Sequence, residues 1–257
     1  MANDIRKVAQ QQFGAHANNY VTSTDHAAGG SLPRLLALTN PQPDWCALDI
    51  ATGGGHTALA FAPHCKIVIA SDLTFQMLAA ARRFATERSV ENTAYCQHDA
   101  ESLPYPDSLF DLVTCRIAPH HFADIPAFVS EAARVLKPGG KLAVADNVVT
   151  GEPKVSRFVN TFEKLRDPSH NWAYSEADWE TFIVSAGLVL RHTEIIEKRI
   201  VFDRWAARMS VSGSDLTRLQ ALLLRAPTEP RNWLKMNEED SQLSFVLWEG
   251  IFIADKP

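Results

Sequence analysis

The chain has 257 residues, 46% of them apolar and 21% charged, enough for one large α/β domain or one domain with a sizeable insertion. Its formal net charge of −5 argues against a nucleic-acid surface, which needs a basic face. No apolar run is long enough to span a membrane, and Met1–Lys7 has no signal-peptide apolar region, so the expectation is a cytoplasmic protein without stable membrane insertion.

In chain order, residues 4–39 read as helical, with Ile5, Val8, Ala9 and Phe13 on one face and Leu32, Leu35 and Leu36 on another. A polar stretch over 14–30 separates them and breaks at Gly29-Gly30. From Trp45 to Asn147, strand-like and helix-like patterns alternate at short spacing, the signature of parallel βαβ units in a doubly wound sheet. The strand candidates are Cys46–Ile50, Lys66–Ser71, Ala94–Gln97, Phe110–Cys115 and Lys141–Asp146.

Thr74 is placed to cap a helix whose apolar face is Met77, Leu78, Ala81 and Ala85. Asp124 is placed to cap another, with Pro126 in its first turn, Phe128, Val129, Ala132 and Val135 inward, and a stop at Lys137-Pro138-Gly139-Gly140. Further on, Val155, Phe158, Val159, Phe162 and Leu165 repeat at helical spacing. Ser175 precedes a helix that Gly187 closes. A strand over Leu188–Ile196 can pair with the last apolar run, Leu243–Ala254, across a helical insertion at 202–240. The four cysteines sit singly and form no Cys-x-x-Cys pair, so neither a zinc site nor a redox motif is expected.

The chemistry concentrates in Leu48-Asp49-Ile50-Ala51-Thr52-Gly53-Gly54-Gly55-His56-Thr57. A short strand ends in an acid, and Gly53 and Gly55 let the backbone turn tightly and approach a ligand. Asp49 would repel a phosphate but suits an ammonium, directly or through water. Asp72 and Asp99 stand at the ends of the next two strands, on the crevice where open parallel sheets bind ligands. A carboxylate at the second strand end suits a ribose diol; one beyond the third can accept from an exocyclic amine. Together they describe a pocket for a nucleoside without phosphates.

A rival reading stays open at this point. Gly53 to Ala58 also fits the G-x-G-x-x-A dinucleotide pattern, and Asp72 lies about 20 residues on, where an NAD ribose would be held. It places Asp49 beside a pyrophosphate and leaves Asp99 without a role. After the fourth strand come Arg116, a candidate for a ligand carboxylate, and His120-His121, candidates for lining an acceptor site and taking a proton from it. Asn147, beyond the fifth strand, is another acceptor-side candidate.

Asp49–Gly55, Ile69–Leu73, His98–Ala100 and Phe110–Val113 resemble the ordered motifs of class I S-adenosylmethionine-dependent methyltransferases. Leu103–Asp107 and Arg134–Gly140 resemble the small-molecule branch that includes ubiquinone and menaquinone biosynthesis enzymes. Ala51 departs from the pattern, standing where that family often has its first glycine. The resemblance implies a Rossmann-like, seven-stranded, mostly parallel sheet whose last strand is antiparallel. It also implies S-adenosyl-L-methionine as cofactor, held by Asp49, Ala51, Thr52, Gly53, Gly55, Asp72 and Asp99, with Leu73 and Ala100 beside the adenine and Arg116 near the methionine moiety. From the polar N-terminal segment, Tyr20, Ser23 and His26 are candidates to fold over that cofactor.

The expectation is therefore one methyltransferase domain over 1–257: an N-terminal helical segment (1–44), a cofactor core (45–147) and a substrate side (148–257). The N-terminal helices and the 202–240 insertion would form a lid. The protein would act on a small, apolar or aromatic molecule as a monomer or homodimer, with no nucleic-acid partner and no metal. The alternatives are an NAD(P)-dependent oxidoreductase and a non-catalytic S-adenosylmethionine-binding protein. A nucleic-acid methyltransferase fits least, because Arg116–His121 lacks the Asp/Asn-Pro-Pro-aromatic loop.

Overall fold

A computed structural model describes residues 2–21, 30–239 and 242–257. Helices α1 (Ala2–Val21) and α2 (Ser31–Thr39) precede β1 (Cys46–Ile50), α3 (His56–Phe61), β2 (Ile67–Asp72), α4 (Phe75–Glu87) and β3 (Thr93–Gln97). The chain continues through β4 (Phe110–Arg116), α5 (Ile125–Val135), β5 (Leu136–Val149), α6 (Pro153–Arg166), β6 (Tyr174–Ser175) and α7 (Glu176–Ser185). Then follow β7 (Val189–Val201), α8 (Phe202–Ala207), α9 (Gly213–Leu224), α10 (Thr228–Trp233), β8 (Asn237–Glu239) and β9 (Gln242–Asp255). No described helix is long and apolar enough to cross a membrane.

Seven strands run in the order β3-β2-β1-β4-β5-β9-β7, with β6 and β8 as short additions at β5 and β9. Strands β1 to β5 pair in parallel, and β9 lies antiparallel between β5 and β7. The final strand is thus the antiparallel one, as the resemblance implied. Strand order reverses between β1 and β4, so their C-terminal ends open a crevice at the switch point.

The two-residue side-chain period of the strands feeds both faces of the sheet. One face sets Leu48, Ile50, Val113, Val144 and Phe252 against Phe128, Val129 and Ala132 of α5 and Trp179 of α7. Trp179 stacks on Phe252 at 5.4 Å between ring centroids, and its truncation to alanine would cost about 3–5 kcal/mol. The opposite face is rich in alanine, with Ala47, Ala70, Ala143 and Ala145 meeting Leu32, Leu35, Ala58 and Phe61.

Local signals act as their chemistry requires. The Asp124 side chain accepts from Ala127 N at 2.9 Å and opens α5. Ser175 and Asp178 form a reciprocal capping box at α7, and Gly187 closes it at φ +79°. Thr74 occupies the N-cap of α4 without a side-chain hydrogen bond; Asp72 Oδ1 takes the Thr74 N–H instead, at 2.8 Å. The stop expected at Lys137–Gly140 lies inside β5, which begins at Leu136. Those residues bulge out of register with β4, and Gly139 N and Gly140 O pair with the backbone of Lys256.

The expected lid needs correction. The 202–240 insertion joins α6 and the first half of β9 in a separate core of Val159, Phe162, Trp205, Leu219, Leu223 and Phe245. Its inward apolar side chains are buried there. Among the described residues, α1 alone of the expected lid elements lines the crevice.

Candidate active site

The crevice is a cleft lined by residues of α1, of the turn after β1 and of the C-terminal ends of β2 and β4. Its floor is the turn after β1. Thr52 N donates to Ser71 O at 2.8 Å and Gly55 N to Thr52 O at 2.9 Å, folding the turn against β2. Gly53 and Gly55 take φ values of +54° and +87°, and a Cβ on Gly55 would come within 3.0 Å of Ala81 Cβ in α4. Gly55 therefore serves as a tight joint between turn and helix, while Gly53 lines the cleft itself. Ala51 also sits in the left-handed region, at φ +53°, which explains why glycine is common there in the resembling family.

Asp49 lies behind this turn, fully buried and absent from the cleft lining. Its two oxygens accept from Thr52 Oγ1 at 2.6 Å and Thr114 Oγ1 at 2.7 Å. Burial pushes its carboxyl up to about 6, against the two hydroxyls and Arg116. The structure thus gives Asp49 a supporting position: it braces β1, the turn and β4 from beneath, rather than presenting its carboxylate to a ligand.

Asp72 does face the cleft. Its oxygens accept from Thr74 N and from Gly53 N at 2.9 Å, and burial pushes its carboxyl up to about 6. The Thr74 hydroxyl donates to it as well, and an ionised carboxylate has about four lone-pair sites, so about one remains for a ribose hydroxyl. Leu73 and Ala100 line the same end. Asp99 lines it too, with Oδ1 accepting from Glu101 N at 3.0 Å and Oδ2 lying 2.7 Å from Arg6 Nε. Arg6, from α1, also pairs with Glu101, whose other oxygen accepts from Ala123 N at 2.7 Å and Asp124 N at 3.1 Å. Glu101 therefore ties α1 to the loop that follows β4.

At the opposite end Arg116 is buried, and its Nε donates to Thr57 Oγ1 at 3.0 Å. Burial lowers its pKa, while Glu249 and Asp49 pull the other way. Ile117 follows at φ +53°, a strained setting for a β-branched residue on a cleft wall.

The structure separates the two histidines. His120 is buried off the lining, with Nδ1 2.5 Å from Asp146 Oδ1 and its backbone N–H donating to Asp146 Oδ2 at 2.7 Å. Burial works against its protonation, but Asp146, helped by Glu163 and Asp167, outweighs it and raises the pKa. His121 is the one on the cleft, edge-on to Phe13 of α1 at 4.9 Å. Its Nδ1 lies 3.0 Å from Ser169 O. A carbonyl can only accept, so the proton sits on Nδ1 and Nε2 carries the lone pair. Burial and the His120 charge, 4.1 Å away between ring centroids, lower its pKa and keep the ring neutral.

Ala51, Thr52, Gly53, Asp72, Leu73, Asp99, Ala100, Arg116 and His121 thus converge on one cleft, whereas Asp49, Gly55, His120 and Asn147 do not line it. The Tyr20 side chain, Ser23 and His26 lie outside the described residues. Sequence reasoning missed Arg6 as the counter-charge to Asp99, Asp146 as the partner of His120, and Ser169 as the tautomer-setting group. These long-range pairings leave no local pattern; only the position of Asp146 at the end of a strand hinted at it.

The groups present fit a nucleoside that carries an amino-acid tail. Two acids that face the cleft, Asp72 and Asp99, and two arginines, Arg6 and Arg116, lie on its described lining. Residues 48–144 match the family model described as a methyltransferase domain. The chain is 34% identical over 237 residues to the uncharacterised methyltransferase YcgJ of Bacillus subtilis (strain 168), covering 91% of this chain and 94% of that one. The crystal structure of YcgJ superimposes with a TM-score of 0.85 over 88% of this chain and 97% of the other. A protein of Bacillus halodurans C-125 does so with a TM-score of 0.86 at 39% identity, over 89% of this chain and all of that one. The ubiquinone/menaquinone biosynthesis C-methyltransferase UbiE of Ectopseudomonas mendocina (strain ymp) is 33% identical over 166 residues, 61% of this chain and 64% of its own. These similarities set the nicotinamide reading aside and make S-adenosylmethionine the cofactor. The chain belongs to the class I S-adenosylmethionine-dependent methyltransferases.

Proposed function

We propose that the protein methylates a small, neutral, apolar or aromatic acceptor of the quinone-precursor type, with His121 taking the proton that the acceptor gives up. The observation that carries this is the His121 ring itself: neutral, on the cleft wall, with Nδ1 committed to Ser169 O and Nε2 carrying the lone pair, a weak base with its pKa lowered to about 3 that suits the strongly acidic proton of a just-methylated acceptor. Around it the lining is apolar, with Phe13, Ala118 and Phe122. UbiE, named for a C-methylation in quinone biosynthesis, adds support for an aromatic acceptor.

S-adenosylmethionine, when bound, supplies an electrophilic methyl whose bond pair returns to sulfur. The chain's own contribution is alignment and exclusion of water. In this reading Asp72 holds a ribose hydroxyl, Asp99 and Ala100 the adenine, and Arg116 the carboxylate. Asp49, Thr52, Gly53 and Gly55 keep the turn in shape, and Ala51 and Leu73 complete the walls. His120, paired with Asp146, fixes the loop on which His121 stands. The same geometry without turnover would make the protein a binding module, and a neutral basic nitrogen on the acceptor side favours catalysis over that.

The test is transfer of a tritiated methyl to quinone precursors and small phenols, with the wild type and His121→Asn compared. General-base assistance contributes about 10²–10⁴-fold, so H121N should lose at least about a hundredfold in turnover while keeping its cofactor affinity. Turnover unchanged in H121N would remove the proton-transfer role. No acceptor methylated across the panel would leave the binding-module reading in its place.

A further inference from the structure

We propose that the groove between α6 and α9 docks the protein reversibly on an anionic lipid surface. The protein carries 30 acidic against 25 basic residues, yet this groove is lined by Lys164, Arg218 and Arg225 around Leu165, Leu222 and Thr161, with no acid on the described lining. Arg218 and Arg225 have no ion pair among the described residues, and both are exposed. On α6 the cations continue: Lys154, Arg157 and Lys164 fall at i, i+3 and i+10, which places them along one exposed stripe. On α9, Arg218 and Arg225 fall at i and i+7 along the facing stripe.

Between the stripes the floor is aliphatic, made by Leu165, Ala221 and Leu222. Long basic side chains over a leucine floor match an interface of headgroups above acyl chains. The stems cover the floor and the Arg218 and Arg225 charges reach the phosphates, while Lys164 Nζ donates to His170 O at 3.0 Å. Among the described residues no aromatic side chain lines the groove, so a single-stranded nucleic acid would find no stacking platform there. The cofactor cleft lies elsewhere, and this docking does not depend on which acceptor is methylated.

The full chain is sedimented with phosphatidylcholine vesicles that contain either no anionic lipid or about 30% phosphatidylglycerol. Binding to the anionic vesicles alone is expected, weakening strongly between about 0.05 M and about 0.5 M salt. Each basic residue near an anionic leaflet strengthens binding about five-fold, so R218Q/R225Q should lose about 25-fold in partitioning. Its S-adenosylhomocysteine affinity should stay unchanged, which shows that the fold is retained. Failure to bind anionic vesicles at low salt, equal binding to neutral vesicles, or unaltered partitioning of R218Q/R225Q would overturn the proposal. So would a dimer that dissociates in the double variant, or single-stranded RNA binding that the variant abolishes, since either would give the groove another occupant.

Discussion

Asp49→Asn should make the protein more stable and a poorer cofactor binder. Asp49 is fully buried with its carboxyl pushed from 3.8 to about 6, and burial is the leading cause. The folded value lies above the unfolded one, so the folded state holds an extra proton between those two pH values. Keeping Asp49 ionised is therefore a cost, fully present above about pH 6 and relieved as the pH falls toward 3.8. Moving a carboxyl that far corresponds to about 3 kcal/mol. Asparagine keeps the shape, and the Thr52 and Thr114 hydroxyls can rotate to donate to its oxygen and accept from its amide.

The expected gain in D49N is about 3 kcal/mol at pH 8 and about half of that at pH 5. Near pH 8 this is a rise of about 6–12 °C in Tm for a chain of this size. Calorimetry and urea unfolding of both proteins at the two pH values measure it. Cofactor titration of the same samples should show weaker binding, because the turn loses the negative charge beneath it. A gain that does not shrink between pH 8 and pH 5, or no gain at pH 8, would refute the desolvation reasoning. The expected pairing of higher stability with weaker function is the usual exchange at a binding site.

Asp72→Ala removes the carboxylate assigned to a ribose hydroxyl. At about 1.5–3 kcal/mol for a hydrogen bond to a charged acceptor, the Kd for S-adenosylhomocysteine should rise at least about tenfold, and a rise under about threefold by calorimetric titration would contradict the assignment. Gly55→Ala combines a left-handed backbone with a Cβ 3.0 Å from Ala81, so it should destabilise by about 2–4 kcal/mol. A Tm within about 2 °C of wild type would show that the turn relaxes freely.

Much of the cofactor half was legible because its signals are local. The run from Asp49 to Thr57 encodes a strand end, a turn and a helix start within ten residues, and the structure places all three there. Asp124 and Ser175 announce their helices because a cap bonds to a backbone N–H three residues on. Where expectation and structure part, distance along the chain is the cause. Asp49 reads like a ligand-facing acid, but two hydroxyls, one of them 65 residues away on β4, turn it inward. The bulge at Lys137–Gly140 depends on the backbone of Lys256, far beyond any local window.

By itself the sequence determined the class of the protein: alternating strands and helices, glycines where the backbone must turn left-handed, and acids at successive strand ends. Each follows from short-range periodicity or from steric rules that one residue obeys alone. Only the tertiary structure decided which charges and rings meet. It turned His121 to the cleft and His120 to Asp146, set Arg6 of α1 against Asp99, and packed α8 and α9 into a separate core with α6. Those outcomes depend on which surfaces remain unburied once the sheet has formed, and helical periodicity shows that a face is apolar without showing what will cover it.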